Sequence, residues 1–293
     1  MAKIAYKVLM SADQSDNKGA SWGAEVDHDL SQPLTDQIAT ELVALYERYH
    51  LLLFRSQTFS AEQQVAFSKL FGPISHRSPA MKVKETALVS NVAPDGVLGD
   101  GELLFHSDNT FFQHPLKAIG LYAMEIPSVG GDTLFANAHL VYDSLPDEVK
   151  RKLSGLSSLQ TFDYGGDYNK RSTLEAVPPD APVAQHPLLW TNPATGRIAL
   201  FLSEHTTVRI NGLGKDEEDA LIALLRRHIE DPRFCYRHKW TVGDFVFWDN
   251  VCLQHARETF DRKQARTLRR TPVLDAEGDR RFPESLDLTR KAA

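Results

Sequence analysis

Residues 244–274 read DFVFWDNVCLQHARETFDRKQARTLRRTPVL. Two β-rich runs stand out in it, DFVFW (244–248) and RTLRRTPVL (266–274), joined by a polar connection. Successive side chains of a strand point to opposite faces. Phe247 and Trp248 therefore face opposite ways, and residues 266, 268 and 270 share a face that Arg269 does not. Working outward, further β-rich runs bounded by Gly, Pro, Asp or Asn appear at ALVSN (87–91), LKAIGLYAMEI (116–126), GDTLFA (131–136), RIALFL (197–202) and FCYRHKW (234–240). They are spread through the last two thirds of the chain with few βαβ alternations. That pattern favours a sandwich or jelly roll over a parallel sheet.

Helix signals are fewer. Thr35 to Tyr49 puts Ile38, Leu42, Leu45 and Tyr49 on one stripe. Ser60 with Gln63 forms a capping-box pattern ahead of Val65, Phe67, Leu70 and Phe71, and Gly72-Pro73 ends that helix. A short helix opens at Pro146, and 215–230 carries the strongest helical pattern. The fold class expected is mainly β with flanking helices: one domain over 1–293, a jelly-roll core at roughly 87–275 and a helical N-terminal part at 30–75. Residues 92–101 and 163–185 lack any period and read as lids, and 276–293 as a flexible tail.

A net charge of −6 argues against nucleic acid or an anionic membrane as the main partner. Two cysteines, Cys235 and Cys252, exclude a disulfide framework, so a cytoplasmic setting is expected, and Cys252 reads as core. A homo-oligomer is compatible with the sequence.

FHSDNTFF (105–112) carries the chemistry. On a strand, His106 and Asp108 would converge on one point and supply two members of a 2-His-1-carboxylate set for non-haem Fe(II). Neither is a thiolate. A third ligand from a distant part of the chain is something a jelly roll delivers, because its ends cluster in space, and His255, which follows the strand 244–248 in an expected turn, is the candidate. Arg266 stands eleven residues beyond it and Arg270 four further.

Several separated blocks make the chain resemble the taurine dioxygenase/2,4-dichlorophenoxyacetate dioxygenase family of Fe(II)- and 2-oxoglutarate-dependent oxygenases. They are LLLFRSQTFSAEQQVAFSKLFGPI (51–74), FHSD (105–108), PSVGGDTLFAN (127–137), HPLLWTNPATGRIALF (186–201) and WDN (248–250) with His255 and Arg266. The resemblance implies a double-stranded β-helix with His106, Asp108 and His255 as iron ligands. It implies Arg266 as partner of the distal carboxylate of 2-oxoglutarate and Thr133 as its hydroxyl partner. It also implies a reaction with O2 that releases succinate and CO2. Asp108 argues for hydroxylation, because halogenating relatives lack this carboxylate.

Arg270 has two readings. An unpaired inward arginine waits for a substrate anion; an arginine bonded to a buried protein carboxylate does not. His76 follows LFGPIS, where family members often place a substrate-contacting histidine, and it reads equally as a loop residue. Asn91, at the end of ALVSN, is a candidate substrate contact, and segment 203–212 a candidate pocket lining. His28, His50, His139, His228 and His238 read as surface or locally hydrogen-bonded residues. The expected function is hydroxylation of a small anionic substrate, a carboxylate or sulfonate. A biosynthetic oxygenase acting by hydroxylation or desaturation is the alternative, and a non-catalytic jelly-roll metal protein is the third.

Overall fold

In the strand Phe245–Asp249, Phe245 and Phe247 face one side and Val246 and Trp248 the other, and all four are buried. A strand buried on both faces belongs in the middle of a layered structure. The computed structural model bears this out over the residues it describes: 3–10, 21–75, 84–94, 96–97, 101–162, 171, 173, 181–193 and 195–275.

That strand sits fourth in a seven-stranded sheet ordered Ala5–Met10, Trp22–Asp27, Leu51–Phe54, Phe245–Asp249, Ala118–Glu125, Thr267–Val273, Ala87–Ser90. All neighbours are antiparallel except Trp22–Asp27 with Leu51–Phe54. A four-stranded sheet, Cys235–His238, Thr133–Asn137, Leu253–Arg257, Leu103–His106, is the second main layer. The core between the two sheets takes Val89, Leu121, Val246, Trp248 and Leu268 from the first and Phe135 and Leu253 from the second. This is the jelly roll expected from the strand pattern. The larger sheet is wider than expected, because three of its strands precede residue 87.

The other face of the larger sheet is covered by the helices Asp36–Tyr49 and Ala61–Ser68, where Leu42, Tyr46 and Phe67, with Phe71 just beyond the second helix, pack on Phe245 and Phe247. The capping box is present: Gln63 N donates to Ser60 Oγ and Ser60 N to Gln63 Oε1. The helix Lys215–Ile229 covers the smaller sheet through Leu221, Ile222 and Leu225. A helix over Ala138–Ser144 was not expected. Its start is set by Asn137, whose Oδ1 accepts from His139 N and Leu140 N.

Of the first expected lid, residues 96 and 97 return to the strand Ala87–Ser90, with Val97 N donating to Leu88 O at 2.9 Å, while 95 and 98–100 lie outside the described residues. In the second, 183–185 belong to the strand Val183–Pro187, while most of 163–180 and the whole expected tail lie outside the described residues. No helix among the described residues is long and apolar enough to cross a membrane.

Candidate active site

The strand Leu103–His106 ends by delivering His106 into the space between the sheets. Asp108 is not on that strand, so simple alternation is not what brings it there. It lies in the following turn, where Asn109 takes φ 61. The buried amide of Asn250 holds this turn in place. Its Oδ1 accepts from Asp108 N at 2.7 Å, and its Nδ2 donates to Asp108 O at 3.0 Å and Leu116 O at 2.9 Å. His255 stands in the strand Leu253–Arg257 rather than in a turn, directly opposite His106 in the register. Its ring is walled by Trp248, with centroids 4.9 Å apart, and by Phe135.

Asp108 Oδ1 is 3.3 Å from His106 Nε2 and 3.9 Å from His255 Nε2. One donor atom from each of the three side chains lies within 4.8 Å of the other two. His106 Nδ1 lies 2.7 Å from Leu104 O, which sets its proton on Nδ1 and turns the Nε2 lone pair toward Asp108. Burial, with His106 beside it and Asp108 partly offsetting, pushes His255 down to about 3, so its ring is neutral with a lone pair to give. Burial alone would raise Asp108. The Arg270 guanidinium overcomes it and holds the carboxyl well below its ordinary value. The neutral His255 imidazole, the His106 imidazole and an ionised carboxylate, with no thiolate, fit a ferrous ion and leave coordination positions for cosubstrates.

Two buried arginines reach the same cavity from the strand Thr267–Val273 and the residue before it; Val89, Leu103, Leu121 and Trp248 give it apolar walls. Arg266 Nε donates to Gly131 O at 3.0 Å, and its backbone N donates to Asn91 Oδ1 at 2.9 Å. Gly131 has φ +72, and a Cβ there would meet Arg266 Nε at 3.0 Å, so glycine lets the guanidinium pass. Among the described residues no carboxylate oxygen lies within 4.0 Å of Arg266. Burial, with the Arg257 charge nearby and Asp132 offsetting in part, pushes it down to about 9. It is a buried cation short of an anion. Thr133 Oγ1 accepts from Trp240 Nε1 at 2.9 Å, which leaves the hydroxyl proton to donate into the cavity.

Arg270 departs from the unpaired reading. Its Nη2 donates to Asp108 Oδ2, while its Nη1 is buried without a hydrogen-bond partner. The guanidinium is therefore half engaged, and its protein partner is the carboxylate of the metal-ligand candidates rather than a separate structural acid.

Asn91 is also placed differently. Its Nδ2 donates to Arg262 O and Gln264 O and its Oδ1 serves Arg266 N, so it fastens the segment ahead of Arg266 and does not line the cavity. His76 lies outside the described residues. Within 203–212, Glu204 is spent on Arg226 of the helix Lys215–Ile229, while the His205 ring approaches His106 at 6.1 Å between centroids. His50, His139 and His238 are buried rather than at the surface, with His139 Nδ1 2.8 Å from Ile198 O and His238 Nδ1 3.2 Å from the Tyr236 hydroxyl. Sequence reasoning missed Asn250, Trp240 and Gly131 as supports. The first and last stand inside the quoted WDN and GGDT blocks, which was the available signal.

Comparison with known proteins identifies the family. The model of the family "Taurine catabolism dioxygenase TauD, TfdA family" matches residues 13–271. The chain is 34% identical over 271 residues to the alpha-ketoglutarate-dependent 2,4-dichlorophenoxyacetate dioxygenase of Cupriavidus pinatubonensis, covering 85% of this chain and 93% of that one. It superposes on a taurine dioxygenase from Burkholderia xenovorans with a TM-score of 0.76 at 29% identity, over 93% of this chain and 90% of that one. AAD-2 in complex with Mn(II) and N-oxalylglycine gives a TM-score of 0.76 at 29% identity, over 94% and 99%. The chain belongs to the taurine catabolism dioxygenase TauD, TfdA family and is an alpha-ketoglutarate-dependent dioxygenase, with alpha-ketoglutarate and O2 as cosubstrates.

Proposed function

We propose that the protein hydroxylates a small organic anion, a carboxylate or a sulfonate, at a ferrous ion held by His106, Asp108 and His255. The observation that carries this reading is one cavity containing a complete N2O donor set and a buried guanidinium, Arg266, with no carboxylate oxygen within 4.0 Å among the described residues. A dicarboxylate cosubstrate supplies the missing charge.

Each residue then has a physical task. Arg266 takes the distal carboxylate of 2-oxoglutarate in a charge-assisted pair, and the Thr133 hydroxyl donates to the same group. Gly131 and Asn91 keep Arg266 in position from its side chain and its backbone. Asp108 stays ionised and His255 neutral, so both offer lone pairs at neutral pH. A bound ferrous ion supplies the activation of O2 that couples decarboxylation of 2-oxoglutarate to succinate and CO2 with oxidation of the substrate. The apolar walls from Val89, Leu121 and Trp248 keep water from the reacting carbon.

Arg270 is the candidate anchor for the substrate anion. Its open Nη1 can take an anionic oxygen while Nη2 remains on Asp108. 2,4-Dichlorophenoxyacetate and taurine, named in two similar proteins, are a carboxylate and a sulfonate, which favours this class here. The test is succinate release from 2-oxoglutarate, screened over aryloxy acids, sulfonates and other carboxylates, each beside its neutral amide or ester. Substrate-stimulated succinate that requires Fe(II) and an anionic group is the expected result. Equal turnover of a neutral analogue would remove the anion from the substrate class.

A further inference from the structure

Three residues that this reaction does not use meet around the turn between the strands Phe245–Asp249 and Leu253–Arg257. His50 caps the C-terminus of the helix Asp36–Tyr49, His139 is the second residue of the helix Ala138–Ser144, and Cys252 stands in the turn itself. Cys252 and His139 are fully buried and His50 is 7% exposed. One donor atom from each lies within 4.8 Å of the other two, and the two imidazole centroids are 5.6 Å apart.

The arrangement is that of prepared ligands. His139 Nδ1 lies 2.8 Å from Ile198 O, which sets the proton on Nδ1 and leaves a lone pair on Nε2. That Nε2 is buried without a hydrogen-bond partner, and so is His50 Nδ1, which stands 3.6 Å from Asp249 Oδ2. Asp249 Oδ1 accepts from Val251 N and Cys252 N at 2.9 Å each, fixing the turn that presents the sulfur. Histidines buried only for packing have their polar atoms satisfied. Here His139 Nε2 has no hydrogen-bond partner, and His50 Nδ1 has only the Asp249 carboxylate oxygen at 3.6 Å.

We propose that His50, His139 and Cys252 form a second metal site, for a zinc-class divalent ion, separate from the cluster of His106, Asp108 and His255. One thiolate and two imidazoles are a soft-to-intermediate set that selects zinc over a hard cation, whereas the first cluster contains no sulfur. Zinc bonds of about 2.0–2.3 Å in a tetrahedron put ligand atoms roughly 3.3–3.7 Å apart, so closing on the ion takes a side-chain adjustment of about 1 Å. Binding forms the metal–sulfur bond and breaks the Cys252 S–H bond, with the proton passing to solvent. Burial, with Asp249 adjacent, keeps the free thiol protonated, so uptake grows more favourable as pH rises. The ion would tie two helix ends to the turn that carries Asn250, the residue whose amide holds Asp108.

Cobalt separates the two sites, because only a sulfur ligand gives a thiolate-to-metal charge-transfer band in the near ultraviolet. The full-length protein, freed of metal and titrated with Co(II), is expected to develop that band to one equivalent per chain and to release one proton from the thiol with it. The band should persist in His106→Ala, which damages the first cluster, and in Cys235→Ser, whose thiol lies against Ile229 O. It should be lost in Cys252→Ser and in His139→Gln. Co(II) bound with a sulfur-free spectrum in the unmodified chain overturns the proposal, whether or not the variants fold. A sulfur band surviving Cys252→Ser overturns it as well. Neither outcome bears on the ferrous site, which is read from succinate release.

Discussion

The two faces of the strand Thr267–Val273 hold arginines under opposite conditions. On the helix side, Arg269 Nε donates to Gln64 Oε1 at 2.7 Å and Nη2 to Phe59 O at 3.0 Å, and its guanidinium carbon stands 4.8 Å from the Tyr122 ring centroid. On the cavity side, Arg270 leaves a nitrogen without a partner, and Arg266 just ahead of the strand has no carboxylate within reach among the described residues. A cation that is satisfied by its own protein serves the fold. A buried cation that is not satisfied is a standing cost, maintained where an anionic ligand can remove it. The difference gives each arginine a separate expected phenotype.

Arg266→Met should have the largest effect. Losing a charge-assisted pair to 2-oxoglutarate costs roughly 2–4 kcal/mol, about 30- to 1000-fold in the KM for that cosubstrate. In the absence of 2-oxoglutarate, stability should fall by no more than about 1 kcal/mol, because the bond to Gly131 O is lost but an uncompensated cation leaves the interior. Steady-state kinetics and urea denaturation read the two halves. An unchanged KM would remove Arg266 from the cosubstrate clamp.

Arg270→Leu should spare 2-oxoglutarate binding and cripple coupling to the primary substrate. A hydrogen bond between charged groups contributes about 1.5–3 kcal/mol, or roughly 10- to 150-fold in kcat/KM for the substrate. Slow succinate formation without substrate should continue. The variant also frees Asp108 Oδ2, and with Arg270 gone the Asp108 carboxyl should titrate higher. If substrate kinetics are unchanged while Fe(II) affinity falls, Arg270 serves Asp108 rather than the substrate.

The outcome on this strand shows what was legible in the sequence. Alternation alone separates Arg269 from Leu268 and Arg270, because a strand's period is fixed by its backbone. Alternation placed Asp108 beside His106 for a reason that does not hold: the strand stops at His106, and Asn250, far away in sequence, returns the carboxylate. His255 was legible as a candidate donor but not as a strand residue, since LQHAR lacks the β-branched residues that mark strands. The helix Ala138–Ser144 is too short to show a period, although its capping Asn137 is plain in the sequence. The pairing of Arg270 with Asp108, and the meeting of His50 and His139 with Cys252, are set by layer packing and have no local signature.

Arg269→Met probes the satisfied face, and its expected effect is on stability alone. It strands Gln64 Oε1 and Phe59 O, at a cost of about 1–3 kcal/mol, and leaves the Gln64 bond to Arg269 O intact. The urea midpoint should drop with the KM for 2-oxoglutarate unchanged. A shift in KM without a loss of stability would mean that the two faces are not independent.

Thr133→Val is the smallest and sharpest probe, because it asks whether the anion is recognised by charge alone. Valine keeps the shape of threonine and removes only the hydroxyl. In the folded protein that hydroxyl accepts from Trp240 Nε1 at 2.9 Å, so the change leaves a buried indole N–H unpaired as well as deleting a donor to the cosubstrate. The two consequences fall on different measurements. The unpaired N–H lowers stability with or without 2-oxoglutarate, by about 1 kcal/mol or somewhat more. The lost donor weakens only cosubstrate binding, by about 1 kcal/mol, near fivefold in KM. Trp240→Phe is the control, since it removes the indole donor while leaving the Thr133 hydroxyl free to point at the carboxylate. Stability should then fall with KM almost unchanged. Should Trp240→Phe raise KM as much as Thr133→Val does, the indole is what aims the hydroxyl, and the neutral donor contributes through its orientation.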